Sequence, residues 1–266
     1  MPDFVSVPLK AIIMPSCRKH GKYIDYSISI IDYFWPGHPE IWVISDDVNF
    51  KYAKSVAIKS PHWVVMMNQG VGELLKRGVL NEEDYVLLIL EDHIPYKEVD
   101  AQLILAIANC AIEKKLQFVN LTGHGGEVEK KIAEVNGVGI YEVYPGFPQY
   151  SETHPAIWNA GYLNRVMAKD IVLKRLSIWE AEDVIDPGSV HYAAGKYCFN
   201  KYIWPTIFSG FLINGRVNIK AIMKMKLPVF SGLRRVLIKD FILRLPLNAL
   251  SMIISRISLT FKAKLS

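Results

Sequence analysis

A chain of 266 residues, half of them apolar, is long enough for one large α/β domain with a real core and too short for two full domains. Its net charge of +5 hides an asymmetry: residues 1–215 carry 20 basic against 25 acidic side chains, residues 216–266 carry 11 against 1, so basic charge that answers a partner sits in the tail. Three cysteines, Cys17, Cys110 and Cys198, without any C-x-x-C spacing argue against a disulfide framework or a zinc knuckle and for a reducing compartment, and Met1-Pro2-Asp3, lacking a basic n-region and an apolar h-region, makes secretion unexpected.

In chain order, residues 10–15 (KAIIMP) and 40–45 (EIWVIS) read as buried strands. The apolar-periodic stretch 23–35 between them crosses over as a helix, and the second strand ends in Asp46-Asp47. Residues 64–80 predict a helix leading to the run Asp84-Tyr-Val-Leu-Leu-Ile-Leu-Glu-Asp-His93, an unbroken apolar strand that delivers three ionisable side chains at its carboxyl end. In open α/β sheets that edge is where ligands sit, and acids placed there can hold a divalent cation or contact a nucleotide sugar. A plain strand ending in solvated charge fits the same residues.

Residues 99–115 predict the next helix and 117–121 another strand, after which Gly123-His-Gly-Gly126 reads as a flexible turn, since neither phosphate-binding glycine fingerprint follows a strand anywhere. Residues 138–144 predict a further strand. Thr153 then suits the cap of a helix that starts at Pro155 and runs to about residue 169. Alternation of strand and helix over the first half is the pattern of a mostly parallel sheet covered on both faces.

Trp179-Glu-Ala-Glu-Asp183, about ninety residues after the strand-end triplet and shortly before His191, makes the order of elements resemble the nucleotide-sugar-dependent glycosyltransferases of the GT-A fold, of the kind that assemble bacterial surface glycans. The resemblance spans about residues 8–205 as an order of short motifs. It implies that Glu91-Asp92-His93 stands at the DxD position and meets the sugar nucleotide. It also implies that Asp46 or Asp47 reads the base or ribose, and that Ala181-Glu182-Asp183 contacts the acceptor and supplies the catalytic base, Asp183 before Glu182. His191 takes the place of the terminal histidine. Trp179, Trp158 and His154 are the candidates for the acceptor, although both tryptophans also suit core packing and His154 an ordinary surface position.

One departure bears on metal chemistry. His93 stands where the family's last Asp would be, and imidazole suits Mn²⁺ better than Mg²⁺. A metal site of Asp92, His93 and His191 is one expectation. The other is metal-independence, with Arg18 and Lys19 after the first strand neutralising the leaving diphosphate. Such a transferase, inverting in this reading, would move a sugar from a nucleoside-diphosphate donor to a hydroxyl of a lipid-linked or lipopolysaccharide- or capsule-type glycan. A nucleotidyltransferase of similar sheet architecture and a catalytically inactive membrane-associated scaffold are the alternatives.

The division expected is a catalytic domain over 1–215 and a basic amphipathic helical tail over 216–266. Residues 233–245 interleave Arg234, Arg235, Lys239 and Arg244 with apolar side chains, and Asn248, Ser251, Ser255, Ser258 and Lys262 form a polar stripe on a second helix beyond Pro246. Contact with an anionic membrane through residues 228–264 is expected, on the cytoplasmic face of the plasma membrane. A helical hairpin packed on the body is the structural alternative. Nucleic acid is not expected as a partner, because the tail lacks Tyr, Trp and His for base stacking.

Overall fold

The computed structural model describes residues 8–16, 20–46, 50–60, 62–123, 128–143, 155–168, 191–195, 203–205, 211–213, 216–218, 223 and 227–243. Its elements are β1 (Ala11–Pro15), α1 (Gly21–Phe34), β2 (Ile41–Ser45), β3 (Lys54–Ala57), α2 (Trp63–Lys76), β4 (Tyr85–Leu88), α3 (Ala101–Lys114), β5 (Phe118–Asn120) and β6 (Val128–Val135). They continue with β7 (Val138–Val143), β8 (Ala156–Asn159), α4 (Ala160–Ala168), β9 (His191–Ala194), the hairpin β10 (Leu212–Ile213) and β11 (Arg216–Val217), and α5 (Ser231–Leu243), entered through a short turn at Pro228–Phe230.

Nine of these strands form one sheet in the order β3-β2-β1-β4-β8-β5-β9-β7-β6. The pairings β2–β3, β1–β2, β1–β4 and β5–β9 are parallel. Those of β8 with β4 and β5, and of β7 with β6 and β9, are antiparallel. The mostly parallel sheet expected from the alternation thus holds for the first half only, and the fold is mixed α/β. The correction has a local cause at residues 155–159. Pro155 and the Thr153 cap signal read as a helix start, but Ala156–Asn159 inserts as a strand between β4 and β5, with Ile157 on one face and Ala156 and Trp158 on the other. Burial on both sides overrides the capping signal, and the helix starts only at Ala160.

Alternate strand residues feed two cores. Ile12, Met14, Val43, Leu87, Ile89 and Val119 pack against α1 and α3, while Ile13, Ile44, Val86, Leu88 and Phe118 pack against α2 and α4. Helix α1 is built for the task, its buried residues Tyr23, Ile24, Ser27, Ile28, Ile31 and Phe34 recurring at helical spacing. Asp100 caps α3 by accepting the Leu103 N–H at 2.9 Å, and Lys115 ends it in the left-handed conformation at φ 54°.

Chain order reverses direction at β1. The first crossover carries the chain outward from β1 to β2 and β3, and α2 returns it across the other face to β4 on the far side of β1. The β1/β4 boundary is therefore a topological switch point, where the carboxyl ends of neighbouring strands splay and open a crevice.

The β10–β11 hairpin is followed by α5, which is packed on the body: Phe230, Leu233 and Leu237 are buried in the core shared with α1, and the Phe230 ring lies 5.7 Å from that of Phe34. Arg234, Arg235 and Lys239 line the exposed face of α5. Among the described residues no helix is long and apolar enough to cross a membrane.

Candidate functional site at the carboxyl edge

The Glu91-Asp92-His93 triplet follows β4 at the switch point, in a turn closed by the His93 N–H donating to Leu90 O at 3.0 Å. Ser16 follows β1 and Asp46 follows β2 on the same edge, and Asn120 and Thr122 lie at the end of β5. Helix α1 points its amino terminus at this edge, because it begins six residues after β1 ends.

Glu91 is held from two directions. His20 Nδ1 lies 2.5 Å from Glu91 Oε1, and about two turns further along α1 the Ser27 hydroxyl donates to Glu91 O at 2.7 Å. His93 is buried beneath Trp204, whose indole N–H donates to His93 O at 2.8 Å while its backbone N–H reaches Leu121 O at 3.3 Å. The Phe211 N–H donates to Asp92 O at 3.1 Å. Residues 203–205 and 211–213 thus cross over the end of β4 and remove most of the triplet from water, leaving Glu91 at 7% and His93 at 6% exposure.

Asp92 carries the electrostatic signature of the site. Burial raises its carboxyl well above the ordinary Asp range, and the charge of neighbouring Glu91 raises it further, while His20 and the Leu212 backbone N–H offset only part. Desolvation together with a like-charged neighbour is the pattern that makes Asp92 the candidate residue of this edge.

Among the described residues no three side chains converge as metal ligands. Asp92 Oδ1 and His93 Nε2 lie 3.9 Å apart, and the nearest further carboxylate, Glu91, is engaged by His20. His191 opens β9, level with Phe118 and Val86 by register and three strands from β4, about 14 Å away at the usual strand spacing. Trp158 is 1% exposed, its ring 4.5 Å from Phe118 and 6.0 Å from Tyr162, the packed position that the sequence also allowed for it. Arg18, Lys19, Asp47, His154, Trp179, Glu182 and Asp183 lie outside the described residues.

Sequence reasoning missed the supporting side chains. His20 was legible only as part of a basic cluster, but Ser27, a polar residue among the buried isoleucines of α1, carried a signal: a hydroxyl on a core-facing stripe needs a partner there. Trp204 carried none, since its apolar surroundings describe packing equally well.

No family model matches the sequence, and no curated protein matches it. Among solved structures the chain is similar to a 4-diphosphocytidyl-2C-methyl-D-erythritol synthase, at 12% identity and a TM-score of 0.41, over 65% of this chain and 82% of that one.

Proposed function

We propose that the protein is a nucleotide-sugar-dependent glycosyltransferase whose donor diphosphate sits at the β1/β4 crevice. The observation that carries this reading is the position of Asp92, a half-buried carboxyl with a raised pKa, beyond β4 at the switch point beside β1. Donor recognition falls to Asp92 and to Asp46 at the end of β2, with Asp47 beside it. The amino terminus of α1 and the Arg18 and Lys19 that precede it answer the charge that develops on the leaving diphosphate.

On the attacking side Asp183, with Glu182 as the second choice, removes the proton of the acceptor hydroxyl, and the anomeric carbon passes from diphosphate to that oxygen with inversion. Trp179 and His154 are the residues assigned to the acceptor. No step is assigned to a metal ion; a contribution from Mn²⁺ or Mg²⁺ through Asp92 and His93 is read by assaying with and without EDTA. A lipid-linked or lipopolysaccharide- or capsule-type glycan as acceptor, at the cytoplasmic face of an anionic membrane, is favoured by the exposed basic face of α5 and the +10 charge of residues 216–266.

The alternative of an inactive scaffold has one observation in its favour: Glu91 and His93 are buried and already engaged within the chain. Calorimetric titration with UDP, CDP, GDP and ADP separates the two. The glycosyltransferase reading expects one of them to bind to wild type and to weaken with Asp92→Asn; binding of none would leave the scaffold.

A further inference from the structure

We propose that Asp240 is a positioning residue for the carboxyl-edge site, acting through Lys22 and Tyr23 on the first turn of α1 and so on the Glu91-Asp92 segment. The inference rests on the reading of that edge as the ligand site.

Asp240 is the one acidic residue among the 51 of the tail, where eleven basic side chains accompany it. An acid in such a setting has cationic neighbours on the outer face of its own helix. Leu233 and Leu237 face the core, and Asp240 continues the same stripe at helical spacing, a position that the amphipathic pattern reserves for an apolar residue. A carboxylate there costs stability unless it is paired and hydrogen-bonded. Two of its partners come from α1: the Tyr23 hydroxyl donates to Asp240 Oδ2, and the Lys22 ammonium lies 2.5 Å from the same oxygen.

These two donors are consecutive residues in the first turn of α1, so one carboxylate fixes both the rotation of that turn and its distance from α5. Tyr23 is 1% exposed and its ring packs edge-on against Phe211 at 5.4 Å and lies 6.2 Å from the His20 ring. His20 and Phe211 are two of the groups that hold the triplet, His20 by its contact with Glu91 Oε1 and Phe211 by donating to Asp92 O. Asp240 is thus one side chain removed from both. The arrangement explains why an acid is kept at a core-facing position of a helix otherwise free of acids. An apolar residue would pack α5 as well, but it could not orient Tyr23 and Lys22.

The test uses the full-length protein and the variants Asp240→Asn, Tyr23→Phe and their combination. Amide hydrogen exchange is read over residues 20–24, 91–93 and 231–243, beside titration with UDP, CDP, GDP and ADP. Either single variant should raise exchange at residues 91–93 by about tenfold while α3 is unaffected, and the double variant should add nothing beyond the larger single effect. Asp240→Glu should restore part of the protection. Whichever nucleoside diphosphate binds to wild type should weaken by about tenfold in both singles.

Exchange that rises only over residues 231–243, with residues 91–93 unchanged, would overturn the proposal and leave Asp240 as an anchor for α5 alone. If wild type binds none of the four nucleotides, the nucleotide reading fails by itself, and exchange at residues 91–93 still decides the positioning role. Should Asp240→Asn fail to fold, Tyr23→Phe, which removes a single hydroxyl, carries the same exchange test.

Discussion

Trp204 donates its indole N–H to the backbone carbonyl of His93 at 2.8 Å, across 111 residues of sequence, with both residues buried. The bond closes the strand-end turn from above. Trp204→Phe keeps an aromatic ring in place while removing the donor, so the variant should lose about 1–3 kcal/mol of stability. Chemical denaturation measures it. A loss under about 0.5 kcal/mol would mean that the carbonyl finds another partner.

Asp92 makes a prediction with a sign. Its carboxyl holds a proton in the folded protein to higher pH than in the unfolded chain, because burial and Glu91 raise it. The folded state therefore binds more protons above the ordinary Asp value of about 4, and this contribution to stability is complete below that value and is lost as pH rises through the raised one. Asp92→Asn removes the titration. Its Tm should gain on wild type steadily from pH 4 upward, while turnover falls by at least about tenfold. A Tm difference that is constant with pH would contradict the assignment of the shift.

For the catalytic base, Asp183→Asn and Glu182→Gln are compared. Whichever carboxylate serves should lose roughly 10²–10⁴ in turnover as its amide while nucleotide affinity persists. Near-wild-type rates in both variants would remove the base from residues 182–183.

The two ends of the tail should behave differently. A chain ending at residue 227 lacks Phe230, Leu233 and Leu237 and uncovers Phe34 and Phe211, so it should aggregate rather than gain solubility. A chain ending at Leu243 keeps that packing and should remain monodisperse by light scattering. On vesicles with anionic lipid it should float less than full length, since it lacks Arg244, Arg256, Lys262 and Lys264, each worth about 1 kcal/mol near such a surface. Equal flotation of the two would remove residues 244–266 from membrane contact.

Helix α2 crosses β2 at Gly70, where an added Cβ would lie 2.4 Å from Ile44 Cγ2. Gly70→Ala forces Ile44 or the helix to move inside a filled core and should cost about 1–3 kcal/mol despite the better helix propensity of Ala. Thermal unfolding reads it, and a stabilised variant would show that the two elements are free to separate.

The early crossovers were legible from sequence because each apolar run there is long enough to announce its own period. Residues 10–15, 23–35, 40–45, 64–80 and 99–115 became β1, α1, β2, α2 and α3 with small shifts at their ends. Strands β3, β6 and β9 went unread: Lys54–Ala57 exposes two of its four residues and Val128–Val135 is rich in charge, as edge and near-edge strands are. The antiparallel insertion of β8 could not be read, because a capping signal is local and the gap between β4 and β5 that Ala156–Asn159 fills is made by residues far away in sequence.

The chain by itself determined that three ionisable residues arrive together at the end of a buried strand, since an apolar run of that length has nowhere to lie but inside a sheet, and that the excess positive charge is in the tail. Tertiary structure alone decided what surrounds them. Which strands neighbour β4, which residues cap the triplet and whether the tail stands apart depend on contacts between segments separated by 71, 111 and 217 residues, those of His20 with Glu91, Trp204 with His93 and Asp240 with Tyr23. Such contacts leave no periodicity behind. They are set by the shape of the packed interior, which no local stretch of sequence contains.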